Sequence, residues 1–580
     1  MSQSVFYWKG KEIREQIDIV SNKSAPNLVL ENATYLNSFL KSWETANIWI
    51  HKGRIIYVGP DMPPPAESTE VTDCRGRYLV PGYIEPHAHP FQLYNPQSLA
   101  EYVSQYGTTT LINDNLFLLL YCDKKKALTL LDAFQSSPLH MFWWARLDLQ
   151  TEIPREDLLL TLDYMKAWIQ HDSVIQAGEL TGWPKLLDGD DLLLQWICET
   201  KQQRKRIEGH FPGASPRTLT KMKLFGADCD HEAMTGEEVR ERLAQGYHVS
   251  LRHSSIRPDL PKLLDEMKNC GIHHYEQIMF TTDGSTPLFY EDGMTNKMIS
   301  IALEKGIDPI TAYHMASFHI ARYYGIDHML GAIAPGRSAN INILESPEIP
   351  LPLSVLSKGQ WMKKAGKKQE STSAIRWSDH SLGKMELNWE LRGDDLQFSM
   401  PLGLKMRNSV IMEPYSVTID SSLEELSEEH DESFLSLLDR KGEWRVNTVL
   451  KGFASSISGF ASSYSTTGDI LLIGKKKSDM LLAFQRMKEL GGGIVLVEDG
   501  ATIFELALVI NGGASDENLP ALISKTKELG TLLRERGYRF EDPVYTLLFL
   551  SSTHLPYLRI TPRGIYDVMK KTILFPSIMR

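Results

Sequence analysis

Six residues able to ligate metals or move protons stand at the ends of strand-like runs. They are His87 and His89 in PGYIEPHAHP, Glu179 in QAGELTG, His210 in EGHFPG, His231 in DCDHEAM and Asp283 in MFTTDGS. Two histidines at i and i+2 beyond a strand point the same way, so His87 and His89 can reach one ion. Neutral imidazoles bind borderline transition ions, and a carboxylate can bridge two of them. Two ions about 3.5–4 Å apart can share a hydroxide and bring its pKa towards neutral. A carboxylate beside that hydroxide can take its proton and hand it to a leaving amine, a task that suits Asp283. Singly, each residue has a plainer reading: a chance HxH, a turn aspartate, a solvated rim glutamate, a packed histidine. The inference rests on their recurrence at successive strand ends.

The elements that must position them are eight strand candidates, at residues 78–84, 108–113, 139–147, 173–177, 206–208, 227–229, 247–251 and 277–282. Most gaps between them are long enough for a helix, as parallel crossovers require. Eight such units predict a TIM-like (β/α)8 barrel, whose chemistry sits at the C-terminal strand ends. Residues 1–75 and 326–400 share a texture of short strands and turns, and together predict one composite small β-sandwich beside a barrel of residues 76–325. Within the first piece Lys52-Gly53 is a hairpin signal and Pro63-Pro64-Pro65 marks an exposed loop. Residues 401–580 read as a C-terminal α/β domain, with strands in DILLIG, GGIVLVEDG and ELALVIN and helices over 477–490 and 518–537.

Competing chemistry is weak. His231-Glu232 opens like a zinc-protease helix, but Thr235 stands where HExxH needs its second histidine. There is no GxSxG elbow, Walker A loop or GxGxxG fingerprint, and Phe142-Trp143-Trp144 is most simply core. His253, in LRHSS, is expected to face the same rim as the ligands and to contact substrate or make a structural hydrogen bond. The 580-residue chain carries a formal net charge of −11, which disfavours nucleic acid as a partner. Five cysteines without a CxxC fit a reducing compartment. Residues 1–16 lack a continuous apolar run and no segment reaches the ~18 apolar residues of a membrane helix, so a cytoplasmic protein is expected.

These motifs resemble the amidohydrolase superfamily and, within it, the adenine deaminases. PGYIEPHAH is similar to the opening PG-x-I-D-x-H-x-H, GELTGWP to the strand-four glutamate segment, EGHFPG to G-H-A-P-G, and DCDHEAMTGEEVRERLAQGYHVSLR to the S-D-H-E segment. ARYYGIDHMLGAIAPGRSANINIL resembles the stretch that closes the barrel and re-enters the β domain. FEDPVYTLLFLSSTHLPYLRITPRGIYDV is similar to the C-terminal domain particular to adenine deaminases. The resemblance implies hydrolytic deamination of adenine to hypoxanthine and ammonia by a metal-bound hydroxide, with Asp283 as proton shuttle and Glu179 as bridging carboxylate. It implies manganese or iron as the metal pair, with zinc also open, and a homo-oligomer, expected as a dimer.

The chain departs from the family pattern around the substrate. Pro90, Phe91 and Gln92 replace I-E-S, Arg252-His253-Ser254-Ser255 replaces R-E-G-S, Thr282-Asp283-Gly284 replaces T-D-D, and Gly513-Ala514-Ser515-Asp516 replaces L-M-S-D. Phe91, Gln92, Arg252 and His253 are accordingly the candidate substrate contacts. The lost carboxylates leave two further readings open. One is a hydrolase of another purine, a pterin or a cyclic amide; the other is a nucleobase-binding sensor without catalysis.

Overall fold

Lys52 and Gly53 both take positive φ, 48° and 79°, the pair of left-handed residues that a two-residue type I′ hairpin needs. They join β2 (Ser42–His51) to β3 (Arg54–Gly59), with Ile50 opposite Ile55. Only glycine fits the second position, because a Cβ there would lie 2.6 Å from the carbonyl oxygen of Lys358. β1 (Leu28–Asn37) pairs antiparallel with β2 and parallel with β4 (Glu70–Asp73) and β5 (Tyr78–Pro81). This computed structural model describes residues 8–154, 156–369 and 375–580; the first seven residues of the 1–16 stretch lie outside them.

The barrel is eight parallel strands in chain order: β6 (Tyr83–Ala88), β7 (Thr108–Asn113), β8 (His140–Ala145), β9 (Val174–Leu180), β10 (Arg206–Gly209), β11 (Cys229–Asp230), β12 (His248–Arg252) and β13 (Ile278–Thr281). Period-two alternation sorts their side chains. Ile84, Ile112, Phe142, Trp144, Ile175, Cys229 and Met279 form one cluster inside the cylinder, while Met141 and Trp143 join the larger core outside it. Each large apolar side chain so buried contributes about 1.5–3 kcal/mol. Glu85 closes the seam between β6 and β13, accepting from Thr281 Oγ1 at 2.6 Å and from the Thr282 amide at 3.1 Å. Burial pushes its carboxyl up to about 7, against those hydrogen bonds.

The structure corrects the expected first barrel strand. Residues 78–84 are two strands, not one: β5 pairs with β1 in the small sheet, and the barrel begins after Gly82. The apolar run is continuous because both strands are buried, so hydropathy alone could not show the break.

After the barrel, β14 (Ile341–Leu344), β15 (Ser354–Ser357), β16 (Gln360–Lys364) and β17 (Lys367–Lys368) join the first sheet, in the order β17-β16-β15-β14-β5-β1-β2-β3. The expected boundary at 400 is also corrected. Met385, Leu387, Leu396 and Phe398 pack with Phe434, Leu438 and Leu472 of the C-terminal sheet. Asn447 fixes them by donating to Asp395 O at 2.7 Å.

The C-terminal region carries β18 (Leu402–Met406), β19 (Met412–Ser416), β20 (Glu432–Leu438), β21 (Trp444–Lys451), β22 (Gly459–Ser462), β23 (Ile470–Gly474), β24 (Gly493–Glu498) and β25 (Ala501–Ala507). The helix Lys477–Leu490 packs on this sheet, ending on left-handed Gly491. A small antiparallel sheet of β26 (Leu558–Thr561), β27 (Gly564–Asp567) and β28 (Thr572–Pro576) follows, and β29 (Ile578–Met579) returns to β21. Tyr545 OH donates to Gly284 O at 2.8 Å and Thr286 Oγ1 to Asp542 at 2.6 Å, holding the helix Pro543–Phe549 over the barrel mouth.

Candidate metal centre

The six candidate ligands meet at the C-terminal mouth of the barrel. His87 lies in β6 and Glu179 in β9, so these two are in the last residues of their strands and not beyond them as expected. His89, His210, His231 and Asp283 follow β6, β10, β11 and β13 within two residues. Three groups have donor atoms within 4.8 Å of one another: His87–His89–Glu179, Glu179–His210–His231 and His87–His231–Asp283.

Glu179 belongs to two of them, one oxygen to each side. Its Oε2 lies 3.9 Å from His87 Nε2 and 4.0 Å from His89 Nε2, while its Oε1 contacts His210 Nδ1 and lies 3.5 Å from His231 Nε2. Asp283 Oδ1 is 3.2 Å from Nε2 of both His87 and His89. Both ring nitrogens of His87 are buried without a hydrogen-bond partner. An orphaned buried imidazole is costly unless a cation takes its lone pair, so the donor set fits divalent ions.

Outer residues orient the inner ones, as metal-binding histidines require. His89 Nδ1 is 2.8 Å from Asp114 Oδ2, and His231 Nδ1 is 3.1 Å from Glu208 Oε1. Arg146 clasps Asp114 through Nε and Nη2 at 3.0 and 2.9 Å. Arg252 Nη1 holds Asp283 Oδ2 at 2.7 Å and Glu232 Oε1 at 2.6 Å, while Arg257 Nη1 holds Glu232 Oε2 at 2.5 Å. Burial opposes ionisation of Glu179, Asp283 and Glu232, but their partners prevail, whereas at Glu208 burial wins over His231 and raises the carboxyl. Arg146 keeps Glu179, and Arg252 keeps Asp283, well below the usual carboxylate range. His210, Arg252 and Arg257 hold Glu232 at about 2. Among the imidazoles, burial lowers His87 to about 4, whereas Asp114 and Asp283 overcome burial and raise His89 to about 9.

The mouth opens into a cavity of about 570 Å³, within the range of small-molecule sites. Phe91, Gln92 and Arg252 line it. Phe91 stacks on Phe117 with centroids 4.2 Å apart, and Gln92 Oε1 is taken by Tyr464 OH. His253 is a correction: it is not in the lining. Neighbouring residues of an extended segment face opposite ways, so Arg252 points at Asp283 while His253 packs beside Phe289, centroids 5.7 Å apart.

Asp114, Arg146 and Glu208 escaped the sequence reading, and Glu232 entered it only within a rejected protease motif. Asp114 and Arg146 directly follow β7 and β8, the same signal that marked the ligands. Glu208 stands two residues before His210 and so shares its face. Tyr464, Tyr545 and His554 also line the cavity, and no local signal announces residues that arrive from the far end of the chain.

Residues 78–368 match the amidohydrolase family and residues 409–572 the adenine deaminase C-terminal domain. A Bacillus subtilis protein named "Putative adenine deaminase YerA" is 60% identical over 580 residues, covering 100% of both chains. A Leuconostoc citreum protein named "Adenine deaminase" is 26% identical, covering 92% of this chain and 96% of that one. Among solved structures, the β-aspartyl dipeptidase of Fervidobacterium islandicum AW-1 is 17% identical, with a TM-score of 0.47, covering 60% of this chain and 99% of that one.

Proposed function

We propose, since this chain belongs to the adenine deaminase family of the amidohydrolase superfamily, that it removes the amino group of adenine by hydrolysis, giving hypoxanthine and ammonia. The observation that carries the hydrolytic part of this reading is the split of Glu179, with Oε2 towards His87 and His89 and Oε1 towards His210 and His231; the choice of adenine is supported by the match of residues 409–572 to the adenine deaminase C-terminal domain. In the proposed centre His87 and His89 would hold one divalent ion and His210 and His231 a second, and Glu179 could serve both through its two oxygens. Imidazole and carboxylate donors suit manganese or iron, and zinc as well. When bound, such a pair lowers the pKa of water towards neutrality and so supplies a nucleophile at ordinary pH.

The remaining work falls to the chain. Arg252 fixes Asp283 Oδ2, which leaves Oδ1 turned to the histidines. From there Asp283 takes the proton of the attacking water and delivers it to the departing amino nitrogen. The Phe91–Phe117 wall offers a flat apolar face to a planar ring. The helix Pro543–Phe549, tied to the rim by Tyr545 and Asp542, forms one wall of the site. The reading includes a cytoplasmic homodimer without nucleic-acid partners. The compartment is supported by five free cysteines, and the net charge of −11 disfavours nucleic acid.

One observation favours a second substrate. Gln92 Oε1 already accepts from Tyr464, and the two Glu232 oxygens face Arg252 and Arg257, so the acceptors nearest a purine's N–H edge are already partnered. A hydrolase of another purine, a pterin or a cyclic amide shares the whole centre. A screen of the manganese-loaded enzyme for ammonia release from amino-heterocycles and for ring opening of cyclic amides decides: turnover of adenine supports the first reading, and turnover of another heterocycle alone supports the second. Tight base binding with no hydrolysis of any heterocycle would leave a sensor.

A further inference from the structure

The turn at residues 551–556 reaches the barrel mouth from the C-terminal region and is fixed there from both sides. Thr553 N donates to Gln150 O at 2.8 Å, and Thr151 Oγ1 donates to Ser551 O at 2.7 Å. Gln150 in turn donates through Nε2 to Glu179 Oε2 at 3.3 Å, so a single residue links the turn to the candidate bridging carboxylate. Behind it Arg559 is fully buried and spends its guanidinium on backbone carbonyls: Leu555 at 3.3 Å, Phe549 at 3.1 Å and Pro556 at 3.1 Å. A buried cation without a carboxylate is a costly way to hold a turn, and the side chain so presented is His554.

His554 lines the cavity, its ring edge-on to His210 and to Phe549 with centroids 5.7 Å away in each case. Its Nδ1 is buried and has no hydrogen-bond partner. Such an atom costs free energy unless a partner arrives. A neutral imidazole offers one donor and one acceptor, which matches the ring nitrogens of a purine. We propose that His554 is a substrate contact supplied by the C-terminal region: it hydrogen-bonds one ring nitrogen of the bound base and helps to set which heterocycle is accepted. The proposal rests on the reading of the cavity as a base site, but not on deamination.

The test uses the metal-loaded full-length protein and ligands that need no turnover. Dissociation constants for hypoxanthine and its 3-, 7- and 9-deaza analogues are measured by calorimetry on the wild type, His554→Ala and His554→Asn, with metal content read in parallel. One hydrogen bond in a dry site corresponds to about a five- to tenfold change in affinity. The wild type should therefore disfavour one deaza analogue by about that factor. His554→Ala should weaken hypoxanthine equally and lose the discrimination, and His554→Asn should restore part of it, all with wild-type metal content. Unchanged discrimination in His554→Ala overturns the proposal, as does loss of metal together with affinity, or a wild type that binds none of the four. Absence of ammonia release with this binding pattern intact would sink the deaminase reading alone.

Discussion

Nη2 of Arg146 lies 2.9 Å from Glu179 Oε2 and 2.9 Å from Asp114 Oδ2 at full burial, so one guanidinium holds the candidate bridging carboxylate and the partner of His89 together. Without ions it is a major compensating charge for both. Truncating one partner of a buried charge cluster costs about 3–5 kcal/mol. Arg146→Met should lower the stability of the metal-free protein by that order, and divalent metal should recover much of the loss by binding the folded state. Denaturant titration with and without manganese checks this; an unchanged metal-free midpoint would refute it.

Removal of His210 tests the ligand assignment. His210→Ala should bind close to half the wild-type metal and lose hydrolysis by about 100-fold or more. Chelation of the wild type should have the same effect on activity, reversed by manganese. Elemental analysis alongside ammonia release reads both, and a full metal complement in His210→Ala removes it from the centre.

Asp283 has its proton-shuttle role only if turnover and binding separate. Asp283→Asn keeps the shape and gives up the base, so the turnover number should fall about 10²–10⁴-fold. Hypoxanthine affinity should stay within a few-fold. Equal loss of both would make Asp283 a binding residue.

Asp469, 7% exposed, is pushed up to about 7 by burial. The unfolded chain ionises this group near its ordinary 3.8, so between that value and about 7 the folded state binds more protons. Its contribution to stability is therefore fully present in acid and lost as pH rises through 7. Asp469→Asn should gain up to about 4 kcal/mol over wild type at pH 8, and distinctly less at pH 5. Urea midpoints at the two pH values measure the difference, and an equal gain at both excludes the titration.

The small sheet is built from both ends of the barrel, with Ile341 opposite Pro81 and Ile343 opposite Leu79. Deleting residues 1–70 removes β1 to β3 and exposes an edge of β5. Amides of residues 341–364 should then lose hydrogen-exchange protection, whereas unaltered protection would mean that β14 to β16 stand without them.

The legible features were those encoded within a few residues. The Lys52-Gly53 turn follows from two positive φ values, and the helix Lys477–Leu490 from a run ended by glycine. His87 and His89 share an ion site because strand side chains repeat every second residue. His253 misled for the same reason inverted: it sits one residue from Arg252 and therefore faces away. Residues 78–84 misled because two buried strands in different sheets have one hydropathy.

Taken alone, the sequence determined which side chains could bind metal and that they would end strands of a parallel barrel, since alternation and crossover length are local properties. It also carried the family likeness. Tertiary structure alone decided that Glu179 faces two histidine pairs with separate oxygens, that Arg146 and Arg252 hold the carboxylates ionised, and that His554 reaches the mouth from some 340 residues beyond His210. Such meetings depend on how distant segments pack, and nothing in the residues beside His554 specifies which strand end it will face.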